Sequence, residues 1–272
     1  MSQRYEKTFA DLKKKGEGAF IPFVMLGDPD TRESEAIIET LIESGADALE
    51  LGIPFSDPVA DGPVIQTSAN RALEKGATPD GCLDILARIR KKYEDIPAGL
   101  LVYANLVVGK GAESFYKRAA EAGVDSVLVA DVPTLMAPPF VRYAQNAGID
   151  PVFIVPPNAS DEKLREVAAL TKGYTYFLGR AGVTGADQEM KVPLSSKIAL
   201  LKEAGAPPVV VGFGISRPEH VRASLKAGAD GAISGSATVA IIAAHAGDPG
   251  KMGKMHEELA AFVKLMKSAT RI

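Results

Sequence analysis

Gly45-Ala46-Asp47-Ala48-Leu49-Glu50-Leu51-Gly52 ends one helical stretch and opens an apolar, strand-like run. Glycine at a helix end can take the left-handed conformation that closes the last turn, so the segment reads as a helix stop feeding a strand. The same pattern returns as Gly123-Val124-Asp125, Gly148-Ile149-Asp150 and Gly228-Ala229-Asp230, each between a helical stretch and an apolar run. Outward from these junctions, strands are predicted at Ala19 to Met25, Ala48 to Gly52, Gly99 to Ala104, Ser126 to Ala130, Val152 to Val155, Tyr174 to Leu178, Val209 to Gly212 and Gly231 to Ser234. They are short, almost continuously apolar and separated by helix-period segments, as parallel strands buried on both faces are. Eight such βα units in 272 residues, with no linker between them, favour one closed (β/α)8 TIM barrel over residues 1–272 rather than an open doubly wound sheet. Two helical segments fall outside the count. Arg4 to Lys15 is placed to cover the N-terminal mouth, and Pro249 to Lys267 to pack on the outside.

Composition narrows the function. The formal net charge is −3, charged residues make up 24% and hydrophobic ones 46%, and no block of like charge offers a surface for nucleic acid. Cys82 is the single cysteine, which excludes a disulfide framework and fits a reducing cytoplasm. Neither a signal peptide nor an apolar run of membrane-spanning length is expected.

In a barrel of this kind the active site lies at the C-terminal ends of the strands, so residues following each strand become candidates. The run Glu50-Leu51-Gly52-Ile53-Pro54-Phe55-Ser56-Asp57-Pro58-Val59-Ala60-Asp61-Gly62-Pro63 places three acids on that rim. Glu50 ends an apolar strand, whereas Asp61 lies among Gly and Pro and reads as exposed loop, an arrangement that would push two carboxyl pKa values apart. The bland alternatives are an acid capping loop amides for Glu50, and ordinary turn chemistry for Asp57 and Asp61. On the same rim fall Phe23, Leu101, Tyr103, Asn105, Asp131, Tyr176 and Arg180.

Gly212-Phe213-Gly214-Ile215-Ser216 follows the seventh predicted strand and Ser234-Gly235-Ser236-Ala237 the eighth, just where a helix can begin. Glycine-exposed amides with a helix N-terminus make an anion site, and in barrels this is the usual phosphate position. The alternative is that these glycines only make tight turns. Arg180 to Met190, hinged by Gly182 and Gly185, reads as a lid or as a plain surface loop. Phe23, Leu101, Tyr176 and Phe213 could line a pocket for a flat ring, or belong to ordinary core. His220, His245 and His256 all fall in helical segments, none placed on the rim, and no His-Cys-carboxylate cluster suggests a metal. No Ser or Cys has a base beside it in sequence, so chemistry falls to carboxylates, with Tyr176 as a candidate helper.

These residues make the chain resemble the tryptophan synthase α subunit family from about Tyr5 to the C-terminal helix. Glu50 to Pro63 matches the family's most distinctive motif, supported by Phe20-Ile21-Pro22-Phe23 with Gly27-Asp28-Pro29, Tyr103-Ala104-Asn105, Asp131-Val132-Pro133, Gly182-Val183-Thr184-Gly185 and the two glycine loops. The resemblance implies retro-aldol cleavage of indole-3-glycerol phosphate to indole and D-glyceraldehyde 3-phosphate, with no cofactor in this chain. Glu50 would be the acid-base catalyst, and Asp61 would stabilise positive charge on the ring nitrogen. Phe23, Leu101, Tyr176 and Phe213 would enclose the indole, Gly185, Gly214, Gly235 and Ser236 would hold the phosphate through backbone amides, and Thr184 and Ile233 would also bind substrate. Asp57, Pro58 and Asn105 would face a β subunit carrying pyridoxal phosphate, in an α2β2 complex. Leu135 and Met136 stand where the family usually has an acidic pair, and Gly179 where it usually has Ser, a change expected to loosen the strand leading into the lid. Neither departure touches a proposed catalytic acid, so cleavage is expected to be retained. A free-standing lyase, or an α-like subunit that only activates a β subunit, are the competing readings.

Overall fold

The computed structural model describes residues 2–179 and 194–271. Nine parallel strands form the sheet: Ala19–Met25 (β1), Leu49–Gly52 (β2), Ala98–Val102 (β3), Ser126–Val129 (β4), Asp150–Val152 (β5), Ile154–Val155 (β6), Thr175–Leu178 (β7), Val209–Gly212 (β8) and Gly231–Ser234 (β9). The order β5-β4-β3-β2-β1-β9-β8-β7-β6 is that of an eight-stranded barrel whose fifth strand is divided. Asp150–Val152 pairs with β4, and after Phe153 the chain switches to pair with β7, Phe153 accepting the Tyr176 amide at 3.2 Å. The fifth strand begins at Asp150 rather than at the predicted Val152, and it is divided at Phe153. Pro151 is tolerated there because the Asp150 amide, not that of residue 151, donates toward β4, while the Pro151 carbonyl still accepts the Lys172 amide at 2.8 Å.

The helices are Gln3–Lys15 (α1), Thr31–Glu43 (α2), Pro63–Glu74 (α3), Pro79–Lys92 (α4), Ala104–Val108 (α5), Ala112–Glu121 (α6), Ala137–Asn146 (α7), Asp161–Leu170 (α8), Leu194–Glu203 (α9), Pro218–Lys226 (α10), Ser236–His245 (α11) and Met252–Ser268 (α12). Their ends follow local chemistry. Asp30 caps α2 by accepting the Arg32 and Glu33 amides at 3.0 Å, and Thr78 caps α4 ahead of Pro79. The four junction glycines, Gly45, Gly123, Gly148 and Gly228, all have positive φ, between 73° and 105°.

The aspartates of the repeat have a function of their own. Asp47, Asp125 and Asp230 each donate a backbone N–H to the carbonyl of a residue at the start of the preceding strand (Phe20, Ala98, Val209), while the carboxylate accepts that residue's amide at 2.8–2.9 Å. Each pair of bonds fixes the bottom of one strand to the next. Asp150 keeps the backbone half of the pattern, and its carboxylate accepts instead from the Ser2 amide.

Two apolar clusters share the strands by alternation. Phe20, Val24, Leu51, Leu100, Val127 and Val211 face the helices, whereas Ile21, Phe23, Leu128, Val152, Tyr174, Tyr176, Val210 and Ile233 fill the barrel. Tyr5, Phe9 and Leu12 of α1 close the interior cluster from below, with Tyr5 Oη 2.9 Å from Ser126 Oγ at the start of β4. As expected, α1 covers the N-terminal mouth; α12, preceded by a short turn at Pro249–Lys251, packs outside on α2 and α11.

Candidate active site

Glu50 lies in β2 on the interior face, 2% exposed, and Tyr174 Oη donates to its Oε1 at 2.8 Å. Burial, reinforced by the charge of Asp61 and opposed by the Tyr174 bond, pushes its carboxyl up to about 7. Asp61 is not the exposed loop acid expected from Gly and Pro around it. It is half-buried, held by the Tyr103 hydroxyl, and burial raises its carboxyl to about 6. The two acids are therefore both raised, rather than driven widely apart. Tyr103 itself is buried, stacks on Phe55 with ring centroids 5.4 Å apart, and accepts the Ala60 amide at 3.2 Å, so it fixes the loop that carries Asp61.

Both acids open onto one cavity of about 770 Å³. Phe23, Leu101, Tyr176, Phe213 and Ile233 form apolar walls, joined by Ile65 from α3. The same cavity is lined by Gly214, Ser216, Gly235 and Ser236, where α11 begins with no side chain capping it. Its first-turn amides and the positive end of its dipole are placed for an anion. Phe213 and Gly214 both take left-handed backbone, φ +75° and +83°, which is strained for Phe.

Glycines on the strands make room for this arrangement. A β-carbon on Gly212 would sit 2.2 Å from both Cζ and Oη of Tyr176, and one on Gly99 would sit 2.5 Å from Ser126 Oγ and 3.0 Å from Tyr5 Oη. Gly212→Ala is thus a steric test, since its backbone angle suits alanine. It is expected to lower indole affinity at least about tenfold, as Tyr176 swings into the cavity, and to lower stability by about 1–3 kcal/mol. Indole titration and urea unfolding check both; unchanged indole binding would show that the ring does not move inward. Gly179 proves to be a close-approach glycine rather than a loosened one. A β-carbon there would meet the Phe213 carbonyl at 3.1 Å, and its amide donates to Gly212 O at 2.8 Å.

Other expectations are met or corrected one by one. Thr184, Gly185, Arg180 and the rest of the Arg180 to Met190 stretch lie outside the described residues. Asp131 lines the cavity, yet its Oδ1 accepts the Ala104 amide at 2.8 Å and so supports the start of α5. Leu135 and Met136 are 85% and 60% exposed and do not line the cavity. Asp57 is exposed beside Ser56. No histidine lines the cavity among the described residues, but His220 Nδ1, in the first turn of α10, accepts the amide of cavity-lining Ser216 at 3.3 Å. The sequence reading missed Tyr174, although its spacing of two from Tyr176 put it on the same strand face. It also missed Lys163, which lines the cavity and donates to Thr134 Oγ1 at 2.6 Å from the first turn of α8.

A family model described as tryptophan synthase alpha chain matches residues 9–271. The chain belongs to the tryptophan synthase alpha chain family. It is 56% identical over 268 residues to the tryptophan synthase alpha chain of Vibrio parahaemolyticus serotype O3:K6, covering 98% of this chain and 99% of that one. Identity to the alpha chain of Escherichia coli O127:H6 is 55%, over 99% of both. Among solved structures, tryptophan synthase subunit alpha from Legionella pneumophila str. Paris superposes with a TM-score of 0.86 at 29% identity, over 99% of both chains. One from Pyrococcus furiosus, described as part of the tryptophan synthase α2β2 complex, gives 0.81 at 36% identity, over 92% of this chain and 98% of that one. The tryptophan synthase alpha fold thus carries the same barrel, with Glu50 inside β2 facing its interior and Asp61 in the loop that follows.

Proposed function

We propose that this chain, as one barrel domain, is the α subunit of a cytoplasmic tryptophan synthase and cleaves indole-3-glycerol phosphate to indole and D-glyceraldehyde 3-phosphate. The observation that carries this reading is one apolar cavity lined both by two raised carboxyls and by an open helix N-terminus. A flat ring fits against Phe23, Leu101, Tyr176, Phe213 and Ile233, with the phosphate on the amides of Gly214, Gly235 and Ser236.

Protonated Glu50 gives its proton to the ring carbon that bears the glycerol chain, turning the indole into a cationic indolenine. Ionised Asp61 stabilises the positive charge on the ring nitrogen. The Glu50 carboxylate then takes the proton of the adjacent side-chain hydroxyl, the carbon–carbon bond breaks, and its electron pair returns to the ring as the aldehyde forms. Glu50 ends protonated, as it began. These proton transfers need only the two acids.

The productive form has Glu50 protonated and Asp61 ionised. With carboxyls at about 7 and about 6, kcat/KM is expected to rise with pH through the Asp61 value, peak between the two and fall through the Glu50 value. A profile flat from about pH 5 to 9 would contradict the assignment.

For the partner, we propose a β subunit bearing pyridoxal phosphate, seated on the rim loops that hold Asp57, Pro58 and Asn105. Exposed Val59, Val108 and Leu135, at 76%, 50% and 85%, lie on rim segments that follow β2, β3 and β4 and favour such a contact. The deciding experiment is indole release from indole-3-glycerol phosphate by the purified chain, alone and with a tryptophan synthase β subunit. Stimulation by the partner supports the subunit reading, and full activity alone supports a free-standing lyase. No release in either case would sink both.

A further inference from the structure

Two loops of the anion end come from different strands, and something must set their separation. Ser234, the last residue of β9, is fully buried. Its Oγ donates to the Ile215 carbonyl at 2.7 Å, in the loop after β8, and its own carbonyl accepts from Thr238 Oγ1 at 2.9 Å, in the first turn of α11. One residue thereby ties the Gly214 loop to the helix whose N-terminus faces the cavity. The Gly214 loop is the part that needs holding, because Phe213 and Gly214 are both left-handed and a strained turn persists only when its surroundings fix it. A second tie comes from the other side, where His220 Nδ1 accepts the Ser216 amide at 3.3 Å.

We infer that Ser234 and His220 are positioning residues that clamp the Phe213–Ser216 turn against the N-terminus of α11 and so set the spacing of the two halves of the phosphate site. The inference rests on the proposed function for the identity of the anion, but not for the clamp itself. Without the Ser234 hydroxyl, the Ile215 carbonyl is left buried without that donor, and the turn relaxes away from α11. Affinity for the phosphate end should then fall while the ring end is untouched.

The test uses the full chain and two probes, sn-glycerol 3-phosphate and indole, titrated into the parent, Ser234→Ala, His220→Ala and His220→Asn. Ser234→Ala is expected to weaken glycerol phosphate about tenfold and indole less than about twofold, the loss of one well-made hydrogen bond. His220→Ala should weaken glycerol phosphate about threefold, and Asn, whose amide oxygen can replace Nδ1 as acceptor, should restore it. In turnover, KM should rise by more than kcat falls. Equal losses for both probes, or none for glycerol phosphate, overturn the inference. Should Ser234→Ala not fold, the partly exposed His220 pair decides, selective loss with rescue by Asn supporting the clamp and no selective loss refuting it. If the parent binds glycerol phosphate but releases no indole, the proposed reaction fails while the clamp is still judged by the titrations.

Discussion

Glu50→Gln is expected to lower kcat by at least about 10²- to 10⁴-fold while a phosphate-bearing indole analogue binds within about threefold of the parent. Glutamine keeps the size of the side chain and an oxygen for the Tyr174 hydroxyl, which stands 2.8 Å from Glu50 Oε1, but it cannot give up or recover a proton. The same variant should be more stable than the parent at high pH. The Glu50 carboxyl titrates at about 7 in the fold against a reference of 4.5, so below 4.5 both folded and unfolded states hold the proton and nothing is lost. Between those values the unfolded chain ionises first and stability falls as pH rises; above about 7 the full penalty applies, about 3 kcal/mol. Urea midpoints of parent and variant at pH 5 and pH 8 measure it. A gap between the two proteins that stays constant with pH would mean that the buried acid is not held in its neutral form.

Asp125→Ala should cost about 3–5 kcal/mol of stability, the largest loss expected from a single side chain away from the cavity. Its carboxylate is 2% exposed and accepts from the Ala98 amide at 2.9 Å, Arg90 Nη2 at 2.9 Å, Arg4 Nη1 at 3.0 Å and Ser2 Oγ at 2.6 Å. Removing it leaves a buried strand amide without its side-chain acceptor and two guanidinium groups without their carboxylate. The injury should spread to α1, because Ser2 and Arg4 begin that helix, and Tyr5, 5.6 Å from the Tyr174 ring, packs beneath Glu50's hydrogen-bond donor. Urea unfolding gives the magnitude, and amide exchange should show α1 losing protection at a lower free energy than the strands. Asn at this position keeps an acceptor for Ala98 and should recover part of the loss. An Ala variant within about 1 kcal/mol of the parent would show that the cluster is not what fixes the bottom of the barrel.

The aspartate repeat shows how far the sequence could be read. Its glycines located four junctions between helix and strand, and each one took the left-handed conformation expected. What each aspartate does, clipping its strand to the one before, was not legible, since the partner lies 21 to 27 residues away. Strand faces were hidden for a different reason. Because both faces are buried, Phe20 and Ile21 are equally apolar, yet one packs under helices and the other inside the barrel.

By itself the sequence determined the barrel, the order of its units and which loops carry acids or paired glycines, because these depend on local periodicity and on residue types confined to particular backbone angles. The tertiary structure alone decided what those acids are chemically. The values of Glu50 and Asp61 arise from loss of water and from hydroxyls that arrive from Tyr174, just before β7, and Tyr103, just after β3, both far along the chain, and solvation is a property of the assembled cavity rather than of any segment.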